Sequence, residues 1–386
     1  MNRDKNMPVV YKLKDCCQII AGQSPESKYY NTNGEGLPFF QGKADFGALY
    51  PKVRMYCSQP TKIAEKDDIL LSVRAPVGPT NLSPGKVCIG RGLTAIRPGK
   101  EVCLKYLLYF FRYYEAQLQR SGTGTTFKAI TQNVVKNIEV PVPSIEEQER
   151  IVSKIEELFS KLDASVAELQ TANEKLKVYR QAVLKEAFDT CDVYTKISNV
   201  CQHVTDGDHM PPPKADSGIP FIMISNIEKG NINWKNTKYV TENYYENIGE
   251  IRTPRKGDVL YTVTGSFGIP VMVNFDKKFC FQRHIALLRP NAKITQKYLF
   301  YVLQTPYVYT QASKKATGTA QKTVGLSVLR NITIPYCSIK EQIRIIEFLE
   351  QSLTICNSIE QTTDISLQQA EALRKSILKQ AFDGKI

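Results

Sequence analysis

The sequence has few of the residues and motifs that metal sites and membrane anchors require. It contains 3 His and 10 Cys in 386 residues, and no two cysteines are spaced C-x-x-C. A structural zinc needs a cluster of such ligands, so we expect no metal. No run of 18 apolar residues is present, which predicts no contact with a membrane. The N-terminus lacks the apolar core of a secretory signal, and we expect a cytoplasmic protein with reduced thiols.

Motifs of several enzyme classes are missing as well. There is no G-x-x-x-x-G-K-[ST] loop to cradle a phosphate and no [DN]-P-P-[YF] run of the kind that grips adenine in methyltransferases. The nearest approach to an acid–base or metal cluster is His203, Asp206, Asp208 and His209. The corresponding stretch before Pro25 lacks these residues, so a site shared by both halves is excluded, and we interpret the cluster as a polar turn or a base-reading loop. We expect a non-catalytic chain that needs no cofactor.

The chain is an internal duplication. Residues 144–151 (SIEEQERI) return as residues 338–345 (SIKEQIRI), and residues 180–189 return as 374–383 at the same offset of 194. Upstream, G-L-P-F at residues 36–39 matches G-I-P-F at 218–221, although the offset drifts. A repeat of this length predicts one structural unit used twice.

The duplication predicts an α+β fold with two similar globular modules and two long helices. Short apolar runs rich in β-branched residues indicate strands in each module, and one amphipathic helix per module accompanies them. The predicted segments are module 1 (residues 1–143), the first long helix (144–189), module 2 (190–337) and the second long helix (338–386).

The two long helices are expected to pair as an antiparallel coiled coil that separates the modules around a pseudo-twofold axis. Ser144 and Ser338 each precede a Glu by three residues, which is the pattern of a capping box. Apolar residues then recur at spacings of four and three, as in a coiled-coil seam. The predicted seam consists of Ile151, Ile155, Leu158, Leu162, Leu169, Leu176 and Val183 in the first helix and Ile345, Leu349, Ile359, Leu373 and Ile377 in the second.

The net charge of +13 is concentrated in the modules. Residues 1–143 carry +9 and residues 193–337 carry +9, whereas both long helices are mildly acidic. Two basic modules held apart by a spacer suit a duplex that is contacted at two places, because phosphate neutralisation dominates nucleic-acid affinity. A generic basic surface that aids solubility is the alternative.

The repeated motifs resemble those of one family. Each half has a G-[LI]-P-F strand entry, a D-[IV]-L strand, a Gly/Thr-rich loop and an I-x-[VI]-P strand, followed by S-I-x-E-Q-x-R-I at the start of a long helix. Over about residues 8–384 the chain resembles the specificity subunits of Type I restriction–modification systems. The resemblance implies that each module is a target recognition domain for one half of a split, asymmetric sequence in double-stranded DNA. It also implies that the helices set the spacing between the two half-sites and bind two methyltransferase (modification) subunits. Restriction–translocase subunits then join this assembly.

Recognition of base edges needs hydrogen-bond donors and acceptors on exposed loops. The candidate DNA contacts follow the matched strands or lie in the Gly/Thr-rich loops. They are Gln41, Lys43, Arg74, Arg91, Thr123, Thr125 and Lys128 in module 1, and Ser225, Asn226, Thr264, Ser266, Gln282, Arg283, His284, Thr319 and Lys322 in module 2. For each residue a solvated surface position is equally open, and Arg74 paired inside its module is a further alternative.

A second function class stays open on the sequence alone. A non-catalytic coiled-coil scaffold with two protein-binding or RNA-binding modules would have the same duplication and the same charge distribution. Competition between duplex DNA and RNA for binding separates the two hypotheses.

Overall fold

The fold is that of a computed structural model, which describes residues 9–122, 128–209, 212–213, 215–228, 230–319 and 321–386. The chain divides into two compact units. Unit 1 comprises the chain up to Leu169 together with Ile365–Ile386, and unit 2 comprises Gln170–Asp364. Each unit therefore contains one module and a part of both long helices. Among the described residues, no helix is both long and apolar enough to cross a bilayer.

Within its described residues, module 1 is built from short strands and three α-helices. Its strands are β1 (Val9–Lys12), β2 (Cys17–Ala21), β3 (Tyr30–Asn31), β4 (Leu37–Phe40), β5 (Tyr56–Cys57), β6 (Ile63–Ala64), β7 (Ile69–Ser72), β8 (Thr80–Leu82), β9 (Val87–Ile89), β10 (Leu93–Pro98) and β11 (Glu139–Val142). Its helices are α1 (Leu13–Cys16), α2 (Leu104–Ser121) and α3 (Gln132–Lys136). The sheets have the strand orders β2-β10-β7-β8, β3-β5-β4-β9-β6 and β1-β11.

The central strand β7 is buried on both faces, which explains its continuous apolar run. Side chains of a strand alternate between faces. Ile69 and Leu71 belong to the core that contains Phe111 of α2, whereas Leu70 belongs to the core that contains Phe40 of β4. Strand β7 thus lies between a helix on one side and the second sheet on the other, and its core contacts set the orientation of the loops that leave it.

The long helix α4 (Ile145–Asp189) follows module 1 and leads into module 2. The strands of module 2 are β12 (Val193–Lys196), β13 (Cys201–Asp206), β14 (Ile219–Ile222), β15 (Ile227–Glu228), β16 (Asn231–Ile232), β17 (Lys238–Val240), β18 (Val259–Thr262), β19 (Pro270–Met272), β20 (Cys280–Phe281), β21 (Ile285–Pro290) and β22 (Thr333–Tyr336). Its helices are α5 (Ile197–Val200), α6 (Glu242–Glu246), α7 (Gln296–Val302), α8 (Pro306–Lys315) and α9 (Leu326–Arg330), and α10 (Ile339–Phe382) ends the fold.

Module 2 repeats the layout of module 1. The order β13-β21-β18-β19 corresponds to β2-β10-β7-β8, and β12-β22 corresponds to β1-β11. Strand β18 is again buried on both faces, since Tyr261 packs in the core with Tyr298 of α7 and Leu260 packs with Phe281. The predicted duplicated α+β fold is confirmed.

Both long helices begin as the capping pattern predicts. The hydroxyl of Ser144 accepts a hydrogen bond from the Glu147 N–H at 3.3 Å, and the hydroxyl of Ser338 accepts one from Glu341 at 3.3 Å. Within unit 1, Ile155 near the start of α4 shares a core with Ile377 near the end of α10, so the helices run antiparallel.

The seam prediction is wrong for two residues of α10. Ile359 is 43% exposed and Leu373 is 50% exposed, so neither packs in the seam. Glu360 and Arg374, one residue further along, instead form ion pairs with the facing helix α4. The other predicted seam positions are buried or half-buried; they are Ile151, Ile155, Leu158, Leu162, Leu169, Leu176, Val183, Ile345, Leu349 and Ile377.

The physical reason lies in the heptad phase of α10. The buried positions of the helix include Leu349, Cys356, Thr363, Ala370 and Ile377, which recur every seven residues. Within the first heptad, the buried residue that follows Leu349 is Leu353, four residues later. The predicted seam required it to be three residues after Leu349. Both arrangements alternate spacings of four and three. The apolar character of Ile359 and Leu373 favoured the wrong one.

Candidate nucleic-acid interface

Two predicted residues of module 1 meet in one recess. Arg74 follows β7 and forms an isolated bridge with Ala129, and Arg91 precedes β10. Both side chains are exposed. They line a cavity of about 340 Å³ with Thr131 and Gln132 of the α3 start. Because β7 and β10 are neighbours in the sheet, their adjoining ends bring these two arginines together although they lie 17 positions apart in the chain.

The candidates after β4 lie beside the turn that carries Arg91. Gln41 and Lys43 are exposed, and the Gln41 N–H donates to the Asp45 carboxylate at 2.8 Å. The Gln41 carbonyl oxygen would be 2.2 Å from a Cβ on Gly92, so the glycine at this position permits a close approach of the two backbones. The chain after β4 is thereby held next to the Arg91 turn.

The Gly/Thr-rich loop of module 1 is described only at its end. Lys128 is exposed, and its Cβ would be 3.2 Å from a Cβ on Gly122. The predictions for Thr123 and Thr125 lie outside the described residues.

In module 2 the turn before β21 carries three candidates. Arg283 is exposed, and its N–H donates to the Asp208 carbonyl at 3.0 Å. The Gln282 side-chain amide donates to Nδ1 of His284. Burial, with a smaller contribution from the neighbouring Arg283 charge, lowers the pKa of His284 below its usual value. The imidazole is therefore neutral near pH 7, and because Nδ1 accepts from Gln282, its Nε2–H is the donor left for another partner.

The loop of module 2 that holds Thr319 and Lys322 is fastened to the end of β18. Both side chains are exposed. The Gly265 N–H donates to the Lys322 carbonyl at 2.9 Å, and Thr317 and Thr323 exchange backbone hydrogen bonds. Ser266, on the same turn as Gly265, is exposed. The three candidates Ser266, Thr319 and Lys322 thus belong to one surface of module 2.

Two predicted contacts of module 2 are structural side chains. Asn226 is 5% exposed, and its amide accepts from the Met223 N–H and donates to the Asn233 carbonyl, so no part of it is available to a base. Thr264 is 7% exposed and its hydroxyl accepts from that of Thr323. Both follow strands, but the chain turns each of them inward. Ser225, next to Asn226, is exposed.

The polar cluster of module 2 is held together internally. Asp206 contacts His209 Nε2 at 2.9 Å and Arg252 at 3.8 Å, and Tyr244 donates to the Asp208 carboxylate. His203 lies outside these contacts on β13. Among the described residues, no three His, Cys, Asp or Glu side chains are placed to hold a metal ion.

Sequence reasoning missed two polar residues of the module 1 recess. Lys62 lines a second cavity of about 580 Å³ that also contains Arg91, and Gln132 lines both cavities. Neither residue follows a strand of the repeated motifs, so no sequence signal marked them. Their position depends on how the strands are arranged in space.

A family profile matches both halves of the chain. The profile of the Type I restriction modification DNA specificity domain covers residues 7–174 and again 212–369. The first match covers module 1 from residue 7 and runs into α4, whereas the second begins inside module 2 at residue 212 and runs into α10.

Several relatives are described as Type I restriction enzyme specificity subunits. The chain is 46% identical over 139 residues to a protein of Methanocaldococcus jannaschii assigned as the MjaX type I restriction enzyme specificity subunit, covering 36% of this chain and 33% of the relative. It is 25% identical to the EcoBI specificity subunit of Escherichia coli over 73% of this chain and 66% of that one. The chain therefore spans about a third and just under two thirds of the length of these relatives.

The fold has a solved counterpart. A chain from a structure of complex assembly and conformational transition in the type I R-M system superposes with a TM-score of 0.74 at 20% identity, covering 98% of both chains. This likeness concerns the fold, while the family assignment comes from the profile, which matches most of the sequence in two copies. The chain belongs to the Type I restriction–modification DNA specificity family.

Proposed function

We propose that the chain is the DNA-recognition subunit of a Type I restriction–modification complex. In this function each module reads one half of an asymmetric, bipartite duplex site, and the paired helices set the unread spacer between the halves. The observation that carries the proposal is the pair of exposed arginines Arg91 and Arg283, which occupy the same turn of two duplicated modules. Arginine in such a position suits bidentate contact with guanine.

The differences between the modules support an asymmetric site. Arg74 lies two residues after the end of β7, and Thr264 lies two residues after the end of β18, so the two positions are equivalent. Arg74 is exposed and cationic, whereas Thr264 is buried. In the turn before β10, Gly90 occupies the position that Gln282 occupies before β21. Unlike side chains at equivalent positions favour unlike half-sites.

An apolar face of α10 supports the docking of two methyltransferase subunits. Phe348, Ile355 and Ile359 are 41%, 64% and 43% exposed, and their spacings of seven and four place them on one side of the helix. Large apolar side chains grouped on a surface are typical of protein–protein contacts. In this function the chemistry of methylation and cleavage belongs to the modification and restriction–translocase subunits, and this chain contributes no catalytic group.

Methylation sequencing of host DNA tests the proposal. In cells that carry the gene, one split motif should be methylated, and that methylation should disappear when the gene is deleted. A methylome that is identical with and without the gene contradicts the proposal. Electrophoretic competition adds a test of class: the assembled complex should prefer duplex DNA, and a strong preference for RNA would favour the scaffold alternative.

A further inference from the structure

A recess in module 1 lies at the end of the edge strand β2. The two adjoining cavities of about 340 and 580 Å³ share Ala21, Gly22, Arg91 and Gln132. Position 22 requires glycine, because a Cβ there would be 2.2 Å from the Gly90 carbonyl oxygen. At the residues of β2 that both cavities share, the chain therefore contributes only the Ala21 methyl group and backbone.

The rim of the recess supplies hydrogen-bond donors. Arg74 and Arg91 line the first cavity, Lys62 and Arg91 line the second, and Gln132 stands where the two cavities meet. All four side chains are exposed. Of the described residues that line the recess, none is acidic. Three cations and an amide thus face a concave surface without a competing carboxylate.

The same place in module 2 has different chemistry. Ala21 pairs with Thr94 as Asp206 pairs with Ala286, so Asp206 occupies the position of Ala21. Arg252 lies six residues before Asp258, and Lys62 lies six residues before Asp68, so the two cations occupy equivalent positions. The Asp206 carboxylate lies 3.8 Å from Arg252. The cation at this position therefore has a carboxylate partner in module 2.

Two further positions show the same loss of donors. Buried Thr264 replaces Arg74, and Leu326, at the first position of α9, replaces Gln132 at the first position of α3. The recess of module 1 is thus richer in free donors than its counterpart.

Guanine is the base that matches a recess lined by donors. It presents two acceptors, N7 and O6, in the major groove, and arginine reaches both at once. A phosphate contact needs only a surface cation, whereas Gln132 adds an amide that can donate and accept beside the arginines. We infer that Lys62, Arg74, Arg91 and Gln132 are the specificity-determining residues of module 1 and that they read a guanine-containing half-site. This inference rests on the proposed function and assigns base chemistry to one of its two readers.

Selection from a random duplex library tests the inference with the full chain in its complex with the modification subunits. The unaltered chain should enrich a split motif with guanine in one half. Arg91→Ala should erase the guanine preference at one position of that half and weaken binding of the selected duplex about tenfold or more. Gln132→Leu, which introduces the residue of module 2, should relax a neighbouring position.

Two matched variants assign the halves and control for folding. Arg283→Ala should relax the other half-site and leave the guanine half intact. Lys14→Ala removes an exposed lysine of α1, the helix that precedes β2, and should leave both halves unchanged. In Arg91→Ala, an intact second half-site shows that the chain is folded and assembled.

A base analogue isolates the predicted contact. Replacing the guanine with 7-deazaguanine removes N7, so the unaltered chain should lose affinity about tenfold while Arg91→Ala should be insensitive to the replacement. A split motif whose halves both lack guanine, or one that Arg91→Ala and Gln132→Leu leave unchanged, overturns the inference. Weakening of all sequences to the same extent also overturns it, because that is the behaviour of a phosphate contact. Absence of any enriched split motif would instead count against the proposed function.

Discussion

The glutamine of the repeated E-Q pair explains why the junction motif occurs in both halves. Gln148 is fully buried, its Oε1 accepts from the Cys103 N–H at 2.7 Å, and its Nε2 donates to the carbonyls of Glu101 and Pro143. Gln342 repeats all three contacts with Thr295, Lys293 and Cys337. One amide thus ties the start of a long helix to the residues before α2 or α7, a role that only the folded contacts reveal.

Replacing Gln148 with Ala should lower the free energy of unfolding by about 2–4 kcal/mol, because buried backbone donors and acceptors lose their partners. Urea denaturation measures the change. Gln181→Ala, at an exposed position of α4, is the matched control and should change stability by less than about 0.5 kcal/mol. Equal stabilities of the two variants would show that the amide does not anchor the helix.

A buried ion pair recurs in both modules with different exposure. Asp258 and Arg289 are 1% and 4% exposed and form two hydrogen bonds of 2.8 Å, whereas the side chain of Arg97, which pairs with Asp68, is 36% exposed. Asp258→Asn should cost about 3–5 kcal/mol, since it leaves a buried guanidinium without its counter-charge. Asp68→Asn should cost less, because water can reach Arg97. Thermal unfolding of the two variants gives the order, and the reverse order would contradict this account.

At the scale of single elements, the seam of α10 depends on its partner helix. Leu349 is fully buried, whereas Leu373 is half exposed, although both fit the same predicted repeat. The polar residues Glu360 and Arg374 occupy places that the sequence pattern assigned to apolar neighbours, and they pair with Arg180 and Asp163 of α4.

Truncating the two leucines should separate the correct seam from the predicted one. Leu349→Ala should destabilise the protein by about 2–5 kcal/mol through the cavity it creates, and Leu373→Ala by less than about 0.5 kcal/mol. Denaturant titration measures both. A loss of stability in Leu373→Ala as large as that in Leu349→Ala would support the seam predicted from the sequence.

The exposed face of α10 should matter for assembly rather than for folding. Phe348→Glu and Ile355→Glu place a charge on this face and should weaken binding of the modification subunits at least tenfold, because desolvation of the charge opposes docking. Titration calorimetry with those subunits measures the effect. Glu347→Gln, at an adjacent exposed position, is the control. Unchanged affinity in both apolar variants would place the docking surface elsewhere.

At the scale of the whole molecule, charge and duplication belong together. Module 1 carries +9 and residues 193–337 of module 2 carry +9, whereas the long helices are mildly acidic. In the proposed function, attraction to phosphate is therefore confined to the modules. In the proposed function, the helices between the two basic modules set the length of the unread spacer.

Inserting one heptad into each long helix should therefore lengthen the unread spacer. Seven residues add about 10.5 Å, or about three base pairs at 3.4 Å each, and preserve the seam. The motif selected by the lengthened complex should contain the same two half-sites. A spacer of unchanged length would contradict the proposal that the helices set the distance.

The sequence alone determined the duplication, the α+β class, the capped starts of both long helices and the division of charge, because repeats, strand runs and capping boxes are local patterns. Tertiary structure decided which side of a strand end faces solvent, so Asn226 and Thr264 are buried whereas Arg74 and Arg91 share a recess with Lys62 and Gln132. It also decided the seam of α10, because two arrangements of one heptad fit the sequence and only the facing helix selects between them. Contacts between residues far apart in the chain leave no local pattern to read.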